Sequence, residues 1–157
     1  MQFDAVLIRS NSLSNDSRVS KVVQGISKSY KVMVLGWDRE RKQDSLEFTK
    51  KNVNFRFLRL GAPYNRIDLV LLYPLFWAWV FGNLAIYRPR IIHACDLDAL
   101  VPSYVFTVLF STKLVFDSFD RYALAFIPTK YYLAHRLVDL IEELLASKAD
   151  ALITVSK

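Results

Sequence analysis

The stretch at positions 9–21 carries side chains suited to binding an anion or a sugar. Asn11, Asn15 and Asp16 are small hydrogen-bonding residues in a polar loop, and Arg18 and Lys21 follow in the first turns of a predicted helix. Residues one turn apart reach the same side of a helix, and the free N–H groups at its N-terminus favour an anion. The stretch therefore predicts a pocket for a phosphate or a sugar hydroxyl. It also fits an ordinary strand–helix loop with a cap, and without glycine it is neither a dinucleotide-binding fingerprint nor a P-loop.

The stretch HACDLD at positions 93–98 brings an imidazole, a thiol and two carboxylates to the end of another predicted strand. His93 is a candidate for catalysis, and Asp96 and Asp98 are candidates for substrate binding. Two alternatives stay open, because Asp98 fits a helix N-cap and His93 fits a hydrogen-bonded core histidine. Cys95 is a poor candidate for a nucleophile, since no second histidine lies near it in sequence to activate the thiol.

The stretch DSFDRY at positions 117–122 follows a third predicted strand. Asp117 and Asp120 are candidate catalytic residues, since a carboxylate there can bind a sugar hydroxyl or accept a proton. The alternative is a turn with Asx caps and a surface pair between Asp120 and Arg121, which would contribute little to stability.

The alternation of short apolar runs with helical periodicity predicts the elements that position these stretches. We expect a doubly wound parallel sheet of about six strands with helices on both faces, a Rossmann-like α/β fold. Ligands of such sheets lie at the carboxyl ends of the strands, so the three stretches should meet along one edge. The predicted strands are 3–8, 31–37, 53–60, 90–94, 113–116 and 151–155, and the predicted helices include 16–30, 98–110 and 130–147; positions 38–51 are predicted to be a solvated loop or a short helix.

The composition limits the possible functions. The chain has 157 residues, a net charge of +6 and 53% hydrophobic residues, which fits one ordinary globular domain. A single cysteine excludes a disulfide within the chain and, with two distant histidines, argues against zinc. The positive charge suits an anionic membrane surface, a phosphorylated substrate or nucleic acid, but no basic tract supports nucleic acid.

The first residues of the chain lack a signal-peptide pattern, so we expect a cytoplasmic protein. The sequence ends just after a predicted strand, so we also expect the natural chain to be longer.

Positions 69–87 form a run of 19 residues without charge, LVLLYPLFWAWVFGNLAIY. We predict a helix that begins near Pro74, packs one side on the sheet and presents Phe76, Trp77, Trp79 and Phe81 to an anionic membrane surface. Arginines on both sides of the run suit lipid headgroups. A fully buried helix and a membrane span are the alternatives, and the span is disfavoured because the next strand begins at once.

Four stretches in this order resemble the N-terminal domain of GT-B glycosyltransferases, family 4 in particular. They are NDSRVSKVVQGISKSYKVMVLGWDRE, RPRIIHACDLDALVPSYV, KLVFDSFDRYA and ASKADALITVSK, and in this order they extend across nearly the whole chain, from position 15 to position 157. The resemblance implies that residues 1–157 are the acceptor-binding half of a two-domain enzyme, whose second domain, absent from this chain, binds the nucleotide-sugar. It implies a retaining hexosyltransferase that needs no metal and binds no cofactor in this domain. Many members of the family act on lipid-linked or membrane acceptors in polysaccharide synthesis.

The resemblance also suggests roles for particular residues. Asn15, Asp16 and Arg18 match the loop near the donor phosphates and the acceptor. His93, Asp96 and Asp98 match a histidine–aspartate motif, and Asp117 and Asp120 match the end of the fifth strand. The family's second histidine in that motif is Cys95 here, the usual near-catalytic histidine is Phe119, and the glutamate after it is Asp120.

Two functions from different classes therefore follow from the sequence. The first is the acceptor half of a retaining sugar transferase, inactive without its second domain, peripheral on the inner face of the membrane and acting on a lipid-linked or cell-surface glycan. The alternative is a non-enzymatic, membrane-associated module that binds an anionic ligand or a protein partner.

Overall fold

A computed structural model describes residues 3–11, 13, 16–39, 52–62, 68–128 and 130–154. Within these ranges the chain forms, in order, β1 (Ala5–Arg9), α1 (Ser17–Ile26), β2 (Val32–Trp37), β3 (Val53–Leu58), α2 (Asp68–Tyr87), β4 (Ile91–Cys95), α3 (Asp96–Phe110), β5 (Lys113–Ser118), α4 (Tyr122–Phe126), α5 (Tyr132–Ala146) and β6 (Ala151–Thr154).

The six strands form one sheet in the order β3-β2-β1-β4-β5-β6. Every neighbouring pair is parallel. The strand order reverses between β1 and β4, which gives the sheet the doubly wound topology expected from the sequence. Every residue of β1 and β2 is buried, as expected for strands covered on both faces. The predicted fold class is therefore confirmed.

The side chains of the inner strands alternate between two hydrophobic cores. Ile8 and Phe116 belong to the larger core, which α2, α3 and α5 cover. We call this side of the sheet the three-helix face. Leu7 and Cys95 point to the opposite side, where they share the smaller core with α1. We call that side the α1 face.

The boundaries of most elements agree with the sequence prediction within two residues, but one helix is shorter than predicted, one helix was not predicted, and one predicted loop lies mostly outside the described residues. The 16–30 helix ends at Ile26, where the following turn begins. The short helix α4 was not predicted, because five residues are too few to show a helical period. Of the loop predicted at 38–51, positions 40–51 lie outside the described residues.

Helix α2 differs from the prediction in where it begins. It runs from Asp68 to Tyr87, so Pro74 lies inside the helix rather than in its first turn. Phe76 is fully buried and stacks on Trp37 of β2, with ring centroids 5.1 Å apart. The prediction that Phe76 contacts a membrane is therefore wrong, because this ring fills the space between the helix and the sheet.

The other three aromatic residues predicted to face a membrane are half-buried and pack against the same core. Trp77 donates its indole N–H to the carbonyl oxygen of Asp98 at 2.9 Å. Trp79 stacks on Phe76, and Phe81 packs edge-on against Phe106 of α3. The aromatic residues of α2 therefore join this helix to the sheet and to α3. None of the helices in the described ranges has both the length and the apolarity to cross a membrane.

Helix α5 is amphipathic, as predicted, but its orientation is unusual. Glu142 is only 7% exposed, whereas Leu133 is 82% exposed on the opposite side of the helix. The Glu142 carboxylate accepts a hydrogen bond of 3.0 Å from the backbone N–H of Tyr122, the first residue of α4. The side of α5 that faces the protein therefore carries Glu142 beside the buried Leu145 and fixes the start of α4, while other leucines of the helix are exposed.

Candidate functional site

The sheet brings the carboxyl ends of three adjacent strands together. Arg9 ends β1 and pairs in register with Cys95 of β4, and Cys95 pairs with Asp117 of β5. Side chains at one register position of neighbouring strands point to the same face. All three therefore lie on the α1 face, beside the N-terminus of α1. The prediction that the three polar stretches meet at one edge is correct for these residues.

Asp117 lies at the centre of this edge and joins two of the predicted residues. Its buried carboxylate pairs with the Arg18 guanidinium through Oδ1 and contacts Nε2 of His93 through Oδ2 at 3.1 Å. The Arg18 side chain is 26% exposed, whereas that of His93 is only 5% exposed. The outer side of Arg18 is therefore accessible to solvent, while Asp117, itself in contact with His93, holds the guanidinium from the buried side.

Asp96 is the second carboxylate at this edge that joins neighbouring elements. One oxygen of its carboxylate pairs with the Arg9 guanidinium, and the other accepts the backbone N–H of Phe119 at 3.0 Å. Arg9 also contacts Asp16 at 3.2 Å, and Asp16 caps α1 by accepting the Val19 N–H at 3.0 Å. Arg9 therefore ties the start of α1 to the start of α3.

The backbone of Asp96 adopts a left-handed conformation, with φ of 64°. This region is uncommon for residues other than glycine, although aspartate tolerates it better than most. Burial raises the pKa of its carboxyl group, and the charge of Arg9 opposes that rise. A strained residue with a buried carboxylate at the end of a strand is a typical feature of functional sites.

Asp98 is a further buried carboxylate and lies in the first turn of α3. Its Oδ2 accepts the hydroxyl of Ser10 and lies 3.9 Å from Nη2 of Arg39, while its Oδ1 is buried without a hydrogen-bond partner. Burial raises the pKa of Asp98 to about 6. Removal of this carboxyl group from water therefore favours its protonated form.

Phe119 occupies the position where the family resemblance places a near-catalytic histidine. The guanidinium carbons of Arg9 and Arg18 lie 4.1 and 4.3 Å from the centre of its ring. These are cation–π distances. The ring therefore supports both guanidinium groups, and it has no group that could transfer a proton.

The remaining predicted residues lie around this centre without joining it. Asn11 is half-exposed in the loop after β1, and Asp120 is exposed at the edge beyond Phe119. Lys21 lies one turn along α1 from Arg18 and lines a trough of about 480 Å³ on the α1 face, together with His93 and Val115. Asn15 lies outside the described residues.

Sequence reasoning missed two charged residues of this site, namely Arg9 and Arg39. Arg9 is the last residue of the buried strand β1 and is itself buried, as is Ser10 directly after it. Arg39 lies two residues after β2, is 7% exposed and places its guanidinium carbon 4.5 Å from the centre of the Trp37 ring. A charged residue directly after a fully apolar strand was the available signal, since such a position is buried and requires a partner.

The donor atoms of His93, Cys95 and Asp117 lie within 4.8 Å of one another, which is close enough for a shared metal ion. Their surroundings oppose a cation, however, because Asp117 already pairs with Arg18 and the charge of Arg9 acts on Cys95. Burial raises the pKa of Cys95 well above its ordinary value. The thiol therefore stays protonated at neutral pH and is not an activated nucleophile.

The comparisons with known proteins gave structural matches alone. No family model matches the chain, and no curated protein matches it. The chain resembles UGT2 of Phytolacca americana, solved with UDP-2-fluoro-glucose and pterostilbene, with a TM-score of 0.66 at 9% identity. It also resembles the E. coli trehalose-6-phosphate protein bound to UDP-2-fluoro-glucose, with a TM-score of 0.61 at 16% identity.

The chain has a Rossmann-like α/β fold that matches part of each of these two proteins. The match covers 98% of this chain but 48% of the plant protein, and 94% of this chain but 39% of the bacterial one. The chain therefore spans less than half the length of these two proteins. At such low identities the likeness establishes the fold alone.

Proposed function

We propose that this domain is the acceptor-binding half of a retaining glycosyltransferase. A second domain would hold the nucleotide-sugar across a cleft, and the sugar would pass to an acceptor at the edge formed by β1, β4 and β5. The proposal includes the family 4 relationship, a hexosyl donor, chemistry without a metal ion, and no transfer by this domain alone.

One observation carries this proposal. Arg18 stands at the carboxyl end of the sheet, partly exposed, and is held from below by Asp117 and His93. An arginine fixed by a buried carboxylate offers directed N–H donors to an anion, and the leaving group of a nucleotide-sugar is an anionic phosphate. The fold supports the proposal, since both structural relatives were solved with UDP-2-fluoro-glucose.

We assign different roles to the predicted catalytic residues according to their burial. Asp117 and His93 lie too deep to touch an acceptor at the edge, so we assign them the role of holding Arg18 in position. Asp120 is exposed at that edge, and its carboxylate is the candidate to accept the proton of an acceptor hydroxyl. Asp96 and Asp98 anchor the loops that surround the acceptor, and Asn11 is the candidate for a hydrogen bond to a sugar hydroxyl.

We further propose a lipid-linked or cell-surface glycan as the acceptor, and a peripheral position on the inner face of the membrane as the site of action. The net charge of +6 supports an anionic surface as a partner. The aromatic residues of α2 do not provide that surface, since they face the core.

The test is a transfer assay with the natural full-length protein and a panel of nucleotide-sugars, in which release of the nucleotide is followed. The Asp120→Asn variant should lower the turnover number by about 10²-fold or more, because a proton acceptor contributes at least that much. The Arg18→Gln variant should lower it as well, through loss of the charge that stabilises the leaving phosphate. Lys28→Gln removes an exposed charge just beyond the end of α1 and is the matched control.

Wild-type rates in both site variants would remove Arg18 and Asp120 from the reaction. Absence of transfer with every nucleotide-sugar, combined with binding of an anionic ligand that depends on Arg18, would instead support the non-enzymatic binding module.

A further inference from the structure

Helix α5 presents a stripe of exposed leucines on the side that faces away from the sheet. The stripe consists of four side chains that are each at least 58% exposed, namely Leu133, Leu137, Leu140 and Leu144. The buried residues of the helix, Glu142 and Leu145, lie on the other side. Contiguous apolar side chains at a protein surface mark an interaction site, so the leucine stripe is a candidate interface.

The spacing of the leucine stripe is that of a coiled coil. Its members follow one another at spacings of four, three and four, the alternation that places apolar side chains along the seam between two packed helices. The position opposite such a seam falls on His135 and Glu142. Both turn toward their own domain, with the side chain of His135 15% exposed and Glu142 7% exposed. The seam of α5 therefore faces outward along the length of the helix.

The leucine stripe is also self-complementary. Its order of spacings is the same when read from either end of the helix, so a second α5 in antiparallel orientation matches it. A twofold axis midway between Leu137 and Leu140 brings each of these residues beside the other residue of the second copy. The same axis brings Leu133 beside Leu144. Contacts of this kind, in which one surface pairs with itself about a twofold axis, are the commonest in protein dimers.

The charged residues beside the leucine stripe match in the same arrangement. Arg136 and Glu143 are exposed and lie on one flank of the stripe, so the twofold axis brings Arg136 of each copy beside Glu143 of the other. Within one copy, Arg136 donates to the Tyr132 hydroxyl at 3.0 Å and Glu143 pairs with Arg121 at 2.9 Å. Arg121 also lies 3.3 Å from Asp139, so it keeps a carboxylate partner when Glu143 turns to the second copy.

The surroundings of the leucine stripe supply further contact area. On its other flank the twofold axis brings Ala134 beside Ile141, a small side chain opposite a large one. A specific dimer buries about 800 Å² on each partner, which is more than the leucines alone provide. Phe126, Tyr131 and Tyr132, between the end of α4 and the start of α5, are exposed by 55%, 56% and 61%. Aromatic residues are enriched at protein interfaces, so these rings favour a protein as the cover.

The charges near the leucine stripe disfavour an anionic lipid surface as its cover. The carboxylate of Glu143 beside the stripe repels lipid phosphates. At the amino edge of the sheet, Lys113 pairs with Asp150 at 2.6 Å, which neutralises its charge. A bilayer requires an apolar side of a helix but no match between the charges on its flanks, whereas a second copy of α5 requires both.

We propose that two copies of this protein form a dimer through α5, with their leucine stripes packed antiparallel about a twofold axis. Arg136 and Glu143 set the orientation of the two helices, since charge pairs at the rim of an interface contribute to specificity more than to affinity. The dimer goes beyond the proposed sugar transfer and does not depend on it.

The first test is the molar mass of the natural full-length protein in solution, measured by light scattering during gel filtration. We expect twice the mass of one chain. Leu137→Gln combined with Leu140→Gln should raise the dissociation constant of the dimer at least about a hundredfold, because each copy loses two buried leucines. Leu71→Gln is the matched control, since it changes a leucine of α2 that is 76% exposed, and it should dimerise as the wild type does.

The second test reports the orientation of the helices. Arg136→Glu and Glu143→Arg should each weaken the dimer several-fold, because each places like charges beside one another across the axis. A mixture of the two variant proteins should form a heterodimer about as tight as the wild-type dimer, since opposite charges then meet at both ends. Both substitutions in one chain should also restore the dimer.

Three results would overturn the proposal. The first is a full-length protein that stays monomeric at every concentration; if the double leucine variant of that monomer loses binding to phosphatidylglycerol vesicles, lipid is the cover instead. The second is a folded double leucine variant that dimerises like the wild type. If that variant does not fold, Leu133→Gln gives the same comparison at the most exposed leucine of the stripe. The third is a pair of charge variants that dimerise no better together than apart. A dimer without any transfer activity would refute the proposed function alone.

Discussion

Replacing Asp98 with asparagine should stabilise the protein at neutral pH. Burial raises the pKa of this carboxyl group from its usual 3.8 to about 6, so the folded state holds the proton more tightly than the unfolded state does. Stability contributed by the protonated form is then lost as the pH rises from about 4 to about 6. Each pKa unit corresponds to about 1.4 kcal/mol, so the charged carboxylate lowers the free energy of unfolding by about 3 kcal/mol above pH 6.

Asparagine has nearly the same shape as aspartate and keeps an oxygen for the Ser10 hydroxyl, which donates to Asp98. Asp98→Asn should therefore raise the free energy of unfolding by up to about 3 kcal/mol near pH 7.5, and the gain should vanish below about pH 4. Urea unfolding of both proteins across this pH range measures the difference.

Asp150 provides a control of opposite sign. Its carboxylate accepts hydrogen bonds from Lys113 and from the backbone N–H of Leu114, and the Lys113 bond is the main cause that lowers the pKa of Asp150. Asp150→Asn should thus lose stability above about pH 4, where Asp98→Asn gains it. A difference for Asp98→Asn that does not change with pH, or a less stable variant at pH 7.5, would refute the reasoning.

Two further predictions concern buried groups elsewhere in the fold. Cys95 should react with a thiol reagent such as DTNB only when the protein unfolds, because the thiol is buried and its pKa is raised. Labelling of the native protein at the rate of a free thiol would contradict this prediction. Glu142→Ala should lower the free energy of unfolding by about 1 kcal/mol, since it removes the acceptor for the first N–H of α4. The control Glu143→Ala changes an exposed neighbour and should lower the free energy of unfolding by less than half as much. Equal effects of the two variants in urea unfolding would show that the buried hydrogen bond contributes nothing.

The sequence predicted the sheet well because its strands are short, apolar and separated by clear helical periods. The run AVLI at 5–8 and the run VMVL at 32–35 are buried as expected. The three polar stretches were also placed correctly, since a parallel sheet brings the carboxyl ends of its strands to one edge. Arg18, His93 and Asp117 meet there although 99 residues separate the first from the last.

The orientation of α2 and α5 could not be predicted in the same way. The outer and inner sides of α2 are both apolar, so its pattern does not show which side meets the sheet. In α5 the pattern shows two sides, but the inward side carries a buried glutamate beside Leu145, which the pattern does not indicate. The missing information lies in tertiary contacts, namely the backbone N–H of Tyr122 and the space beside Trp37.

The order of the strands in the sheet determines which contacts can form while the chain is still being synthesised. β1 is made first but lies in the middle of the sheet, so one of its flanks stays open until β4 emerges from the ribosome. The bond between Arg9 and Asp96 spans 87 positions and that between Arg18 and Asp117 spans 99. A nascent chain that stops before β5 can thus form β1, α1 and β2 but none of the contacts that fix Arg18. This edge of the sheet is therefore completed late, because Asp96 and Asp117 are synthesised long after the arginines that they bind.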